Sequence, residues 1–91
     1  MFHVLKLTYL QPLDVIEQTR AAHVAWLKDE IDEGRLILAG RQEDDSGGVL
    51  ITADISADEA ADIMTADPYN QAGVVRYERI GFNGAFRAPG L

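Results

Sequence analysis

Two residues in this chain have the types and the placing to move a proton. His23 falls on the inward stripe of an apolar spacing that runs through Ile16, Leu27 and Ile31, where a residue of purely structural use would be aliphatic. Asp67 stands directly before Pro68-Tyr69, just past a second helical segment. An aspartate that accepts a hydrogen bond from one imidazole nitrogen fixes the tautomer and stabilises the charged ring. The other nitrogen is then left to take or give a proton. The plainer alternative is a packed histidine with both nitrogens satisfied and an aspartate that only caps a turn. Spacing alone leaves both open.

Four further side chains have the chemistry to hold a ligand near that pair. Tyr69 offers a phenolic hydroxyl, or a wedge between turn and sheet. Arg20, three residues before His23 on the helix surface, and Arg41, at a loop mouth after a strand, suit a carboxylate or phenolate, though pairing with an exposed acid is the favoured reading of the residues alone. Trp26 offers a large aromatic face, with packing in the core or an interface as the ordinary use of such a residue. His3 reads as incidental. Two histidines at positions 3 and 23 without any cysteine show no zinc-ligand spacing, and Glu43, Asp44 and Asp45 read as solvated loop carboxylates.

The elements that must position these groups follow from the local pattern. Residues 2 to 10 are β-formers, with His3, Leu5, Leu7 and Tyr9 on one face and Phe2, Val4 and Leu10 on the other, so an inner strand covered on both sides is expected. Asp14 and Glu17 have the spacing of a capping box for one helix from Val15 to Gly34, with Glu17, Lys28, Asp29 and Glu33 on its solvated face. Arg35 to Ala39 reads as a strand closed by Gly40, followed by a polar hairpin loop and a partner strand from Val49 to Ala53. Ser56-Ala-Asp-Glu59 is a second capping box, and Asp67-Pro68 caps a further turn that Gly73 ends. Residues 74 to 82 form the last strand. Arg76 and Glu78 share a face there with Val74, Ile80 and Phe82, which predicts either a bulge or charges that line a cavity or subunit seam. The tail from Asn83 to Leu91 reads as a loop or an arm reaching a neighbour.

Composition limits the function. The 91 residues suit a single domain, with an ordinary globular balance of 47% hydrophobic and 25% charged residues. Fifteen acidic against 8 basic residues, with the arginines scattered, disfavour nucleic acid and anionic membranes as partners. Disulfides, thiolate metal sites and cysteine nucleophiles are excluded because there is no cysteine. No leader pattern or membrane-spanning run is legible, and a cytoplasmic location is the expectation.

The order strand, helix, strand, strand, helix, strand predicts an α+β protein of the ferredoxin-like βαββαβ type with a four-stranded antiparallel sheet. Both helices would lie on one side, so the apolar opposite face needs a cover and a homodimer packed sheet to sheet is expected. At this point the residues resemble a known family. Arg20-Ala-Ala-His23, then Glu33-Gly-Arg-Leu-Ile-Leu-Ala-Gly40, then Ala66-Asp67-Pro68-Tyr69-Asn-Gln-Ala-Gly73-Val ahead of a strand ending in Phe82 look like the YciI-like proteins over nearly the whole chain. The resemblance implies a dimeric α+β barrel occupying residues 1–91, with the family's His-Asp pair on His23 and Asp67 in a cleft that admits a small ligand. One departure is Arg41, where members often carry proline, and it adds a charge at the cleft mouth.

The fold hosts isomerases, monooxygenases, lyases and plain binding modules, so activity does not follow from it. The leading expectation is an enzyme without cofactor or metal, of lyase or isomerase type, acting by proton transfer on a small organic molecule; fold relatives suggest a cyclic or aromatic one. His23 would be general base and acid, Asp67 its orienter, and Arg20, Trp26, Arg41 and Tyr69 the ligand contacts. The competing expectation is a non-catalytic ligand-binding or accessory dimer, and a third is a metal-binding or oxygenase relative.

Overall fold

In the computed structural model, which describes residues 1–91, alternation along β1 (Phe2–Tyr9) sorts the side chains onto two faces of a sheet. His3, Leu5 and Leu7 are at most 1% exposed and face the helices, whereas Lys6 on the other face is open to water. The remaining elements are α1 (Leu13–Glu17), α2 (Arg20–Asp32), β2 (Leu36–Arg41), β3 (Gly47–Thr52), α3 (Ala57–Ala66), α4 (Pro68–Gln71) and β4 (Val75–Phe82). The strands form one sheet in the order β2-β3-β1-β4, with every neighbouring pair antiparallel. This is the ferredoxin-like arrangement that the element order predicts. Leu5, Leu7, Leu36 and Leu50 from the sheet meet Ile16 and Ile63 from the helices in the core.

Two helix ends are set by glycine. At Gly34 (φ +77°) the amide donates to the Ile31 carbonyl while the next amide, Arg35, reaches back to Glu30, a Schellman closure that only a left-handed residue permits. Gly73 (φ +71°) closes α4 in the same way, its amide bonding Asn70 and that of Val74 bonding Tyr69. The Ser56–Glu59 capping box is present, as its spacing predicts.

The first helical segment departs from expectation. It is two helices, broken at Gln18-Thr19, and the Asp14–Glu17 capping box does not form. The carbonyl of Pro12 accepts the amides of Val15 and Ile16, so Asp14 falls inside the first turn and the Ile16 amide it would cap already has a backbone partner. Gln18 and Thr19 donate three residues back, which tightens the end of α1, and α2 restarts when the His23 amide bonds the Thr19 carbonyl. Ile31, expected inward, is 44% exposed, and Glu30 is the buried residue instead. Arg35 causes this: folded back by the Schellman turn, it donates Nε and Nη2 to the two Glu30 oxygens at 2.6 and 2.7 Å.

Of the alternatives for β4 the bulge is absent, and the sheet's irregularity lies in β2. Pairing of β1 with β4 runs unbroken from Phe2↔Phe82 to Tyr9↔Val75, and Arg76 and Glu78 simply face the open side of the sheet. Between β2 and β3 the register slips, from Leu36↔Thr52 to Leu38↔Ile51, so Ile37 is an extra residue. Leu36 faces the core, yet the next residues on that side are Ala39 and Arg41, opposite Leu50 and Gly48, and Leu38 is turned out at 64% exposure. His3 is not incidental either. It is fully buried, its Nε2–H donating to the Ile55 carbonyl at 3.0 Å and its Nδ1 accepting from Arg79 at 3.1 Å. Beyond β4 the tail is exposed, with Arg87 folded back on this chain to Asp54 and over the Phe2 ring.

Candidate active site

The Asp67-Pro68-Tyr69 turn builds one wall of the site because its local chemistry admits one geometry. Pro68 at the first helical position fixes φ and has no amide to satisfy, while Asp67 Oδ1 caps the turn by accepting the Tyr69 amide at 2.9 Å. The same oxygen accepts Nδ1–H of His23, from α2, at 2.7 Å. Oδ2 accepts the hydroxyl of Tyr77, which points inward from β4. Asp67 is wholly buried, and three donors converging on it are what an ionised carboxylate needs in order to be kept there.

Since a carboxylate only accepts, the hydrogen on His23 that faces Asp67 belongs to Nδ1. Nε2 is then the basic nitrogen in the neutral ring. It has no protein partner and is not sealed from solvent, although the residue as a whole is 7% exposed. The ring lies flat on Tyr69, with centroids 3.8 Å apart and planes 13° from parallel. Tyr69 itself packs edge-on against Tyr9. Burial is the main cause that raises the Tyr69 phenol above its usual value, with Tyr9 and Glu17 adding to it, so it is a neutral hydroxyl near pH 7. Tyr77 is pushed up further, first by burial and then by the Asp67 charge and hydrogen bond, and it stays a donor to Asp67 across any physiological pH.

These groups open on a cleft of about 160 Å³ between α2 and the β2, β3 and β1 strands. Leu7, Leu27 and Leu50 give it an apolar floor and side, and His23, Tyr69 and Tyr9 give it polar edges. A cavity of about 150 Å³ is what one benzene ring occupies in a protein core, so the space matches a single small ring. Arg20 and Arg41 stand at the mouth, both lining it. Arg41 donates Nε to the Tyr9 hydroxyl and Nη2 to Glu17, each at 3.1 Å, and the Glu17 bond is the chief reason its guanidinium is held even more firmly protonated than usual. Arg20 lies 3.9 Å from the same Glu17.

The structure therefore brings His23, Tyr69, Arg20 and Arg41 together around one opening, with Asp67 buried behind His23 and away from the cleft lining. Trp26, expected at the ligand, is not among the lining residues. It packs on the core beside His23, with ring centroids 5.6 Å apart, and its Nε1–H is buried without a partner. Tyr77 and Tyr9 were missed by the sequence reading. Tyr77 shares the inward face of β4 with buried Val75, and that alternation was the available signal. No group of three or more histidine, cysteine, aspartate or glutamate side chains is placed to share a metal ion.

A ferredoxin-like α+β sheet carrying a buried histidine–aspartate pair over a small cleft is the class that this geometry defines. The YCII-related domain model matches residues 1–82, and the chain belongs to that family, as its resemblance to the YciI-like proteins implies. A "12 kDa protein" from Mycolicibacterium smegmatis is 79% identical over 24 residues, which are 26% of this chain and the whole of that sequence. Among solved structures, 5-chloro-2-hydroxyhydroquinone dehydrochlorinase from Burkholderia phenoliruptrix AC1100, in complex with 2,5-dihydroxybenzoquinone, matches with a TM-score of 0.76. The identity is 23%, over 91% of this chain and 94% of that one, and the likeness is one of fold.

Proposed function

We propose that this protein is an enzyme that moves protons on a small hydroxylated ring, of lyase type, with His23 as general base and acid and Asp67 as the residue that orients it. The observation that carries the reading is the state of His23: Nδ1 is committed to a buried carboxylate, Nε2 has no partner in the protein, and the residue lines a cleft of about one ring's volume. The relative of like fold acts, by its name, as a dehydrochlorinase on a hydroxyhydroquinone, which favours elimination over other proton-transfer chemistry.

Such a reaction needs nothing beyond these side chains. Nε2 takes the proton from a ring hydroxyl as its C–O bond becomes C=O, and the resulting imidazolium, stabilised by Asp67, returns a proton to a ring carbon. From that keto tautomer a leaving group on the same carbon departs as an anion while a second hydroxyl gives its proton to Nε2, neutral again after the first transfer, which passes it to water. The sum is loss of HX from the ring and formation of a quinone, with no change in electron count. Tyr69, a neutral phenol stacked on the imidazole, donates to the carbonyl oxygen as it forms.

The test is chloride release from 5-chloro-2-hydroxyhydroquinone, together with quinone absorbance, in wild type and His23→Ala. Release by wild type and a loss of about 10²- to 10⁴-fold in the folded variant are expected. Equal release by the variant would remove His23 from the mechanism. Binding of 2,5-dihydroxybenzoquinone without any turnover would instead favour a non-catalytic ligand-binding module.

A homodimer is part of this reading. Leu38, Ile51, Val4 and Ile80 stand in register as one row across the open face of the sheet, with Phe82 beyond it, and Leu38 and Ile80 are each 64% exposed. Only 18 of 91 residues are buried in the single chain, so a second sheet laid on this row would add much of the missing core.

A further inference from the structure

Acids outnumber bases 15 to 8 in this chain, yet no carboxylate lines the cleft and its two permanently charged lining residues are Arg20 and Arg41. Both face one carboxylate set just outside. Glu17 Oε1 accepts from Arg41 Nη2 at 3.1 Å, and Oε2 lies 3.9 Å from Arg20 Nε. Three separate features make this meeting: the tight end of α1 at Glu17, the restart of α2 at Arg20, and the β2 slip that turns Arg41 inward. No other carboxylate pairs with either guanidinium.

The grip on Glu17 is weak. The Arg20 distance is too long for a hydrogen bond, and the Glu17 side chain is 50% exposed, so water and salt compete with both contacts. Arg41, by contrast, is held independently through Nε on the Tyr9 hydroxyl. If Glu17 swings away, the guanidinium keeps its place and presents its two terminal nitrogens to the opening, the fork that receives a carboxylate in bidentate fashion.

We infer that Glu17 is a built-in occupant of an anion subsite, and that the cleft is shaped for a ring bearing a carboxylate or a similar planar anion, which displaces Glu17 from Arg41 and Arg20. The inference rests on the ring-binding part of the proposed function and adds the class of substituent and the residue that screens for it. A neutral ring leaves Glu17 where it is. An anionic ring must first break the Glu17 contacts, so Glu17 sets how strongly the cleft prefers one over the other.

Titrations of gentisate (2,5-dihydroxybenzoate) and hydroquinone, followed by NMR at the His23 ring, test this in wild type, Glu17→Gln and Arg41→Ala. Glu17→Gln is expected to tighten gentisate by about threefold to tenfold, the worth of a partly exposed charge pair, and to leave hydroquinone within about twofold. Arg41→Ala is expected to weaken gentisate by a similar factor with hydroquinone little changed. If hydroquinone shifts the His23 ring while gentisate gains nothing in Glu17→Gln, the anion subsite is overturned and the ring-binding reading stands. If neither compound perturbs His23 in any variant, the ring-binding reading fails and the subsite fails with it.

Discussion

Asp67 does three jobs with two oxygens, and its substitutions separate them. In Asp67→Asn, Oδ1 still accepts the Tyr69 amide and His23 Nδ1–H. The new amide group faces the Tyr77 hydroxyl, which can turn to accept. Only the charge is lost, and the expected cost is about 1–2 kcal/mol. In Asp67→Ala the cap on the Tyr69 amide goes, worth about 1 kcal/mol, and the buried donors on His23 and Tyr77 are stranded with it, for a total of about 3–5 kcal/mol. A chain of 91 residues has about 5–14 kcal/mol of stability in all, so the alanine variant should lose a much larger share of it than the asparagine variant. Urea unfolding read by the single tryptophan, Trp26, measures both at a fixed protein concentration. ¹⁵N NMR of His23 then reports the tautomer: Nδ1–H is expected to dominate in the neutral wild-type ring and to persist in Asp67→Asn, where Oδ1 still accepts it, and to give way to a mixture only in Asp67→Ala. An alanine variant within about 1 kcal/mol of wild type, or an Nε2–H tautomer in wild type, would refute the reasoning.

Three other outcomes follow from the geometry. Burial and Asp67 raise the Tyr77 phenol above its unfolded value near 10, so its contribution to stability is complete below about pH 10 and declines as the pH rises toward the folded value, because the unfolded chain releases the proton first. Tyr77→Phe should therefore lose about 1–2 kcal/mol at pH 7 and show a shallower alkaline decline, with the limb due to Tyr69 remaining, in pH-dependent urea unfolding. Arg35→Ala strands the Glu30 carboxylate, 6% exposed, and should cost about 1–3 kcal/mol, whereas Glu33→Ala, which removes an exposed partner of the same arginine, should cost less than about 0.5 by thermal unfolding. Leu38→Glu places a charge in the middle of the open apolar row, and light scattering should show a dimer for wild type and a monomer for the variant; a monomeric wild type at micromolar concentration would end the dimer reading.

What could be read from the sequence was what neighbours along the chain decide. The Asp67-Pro68 cap, the Gly73 closure, the Ser56–Glu59 box and the Gly34 stop each depend on a few consecutive residues, and each is in place. The sheet order followed from the element order because short connections leave few alternatives. The break at Gln18-Thr19 was hidden because the Asp14–Glu17 spacing imitates a cap, while the carbonyl of Pro12 had already claimed the first amides. Tyr77 on Asp67 and Glu17 on Arg41 join side chains from different elements, and no local pattern carries such a meeting. The burial of Glu30 in place of Ile31 was out of reach as well, since its partner Arg35 is brought back by the turn beyond the helix.

The extra residue in β2 has a consequence for how relatives of this chain can differ. Which side chain stands at the mouth is decided by a count of residues as much as by their identity, since strict alternation from Leu36 would send Leu38 and Gly40 inward and Arg41 out to the open face. Regular pairing with Ile37 kept in the ladder would, in one step, strip a positive charge from the entrance, turn a leucine inward in its place and alter the open face of the sheet, whereas deleting Ile37 would remove the bulge and leave Arg41 inward. A slip of one residue in register is thus coupled both to the charge at the cleft entrance and to the apolar row on the open face, so the two can change together without touching His23 or Asp67.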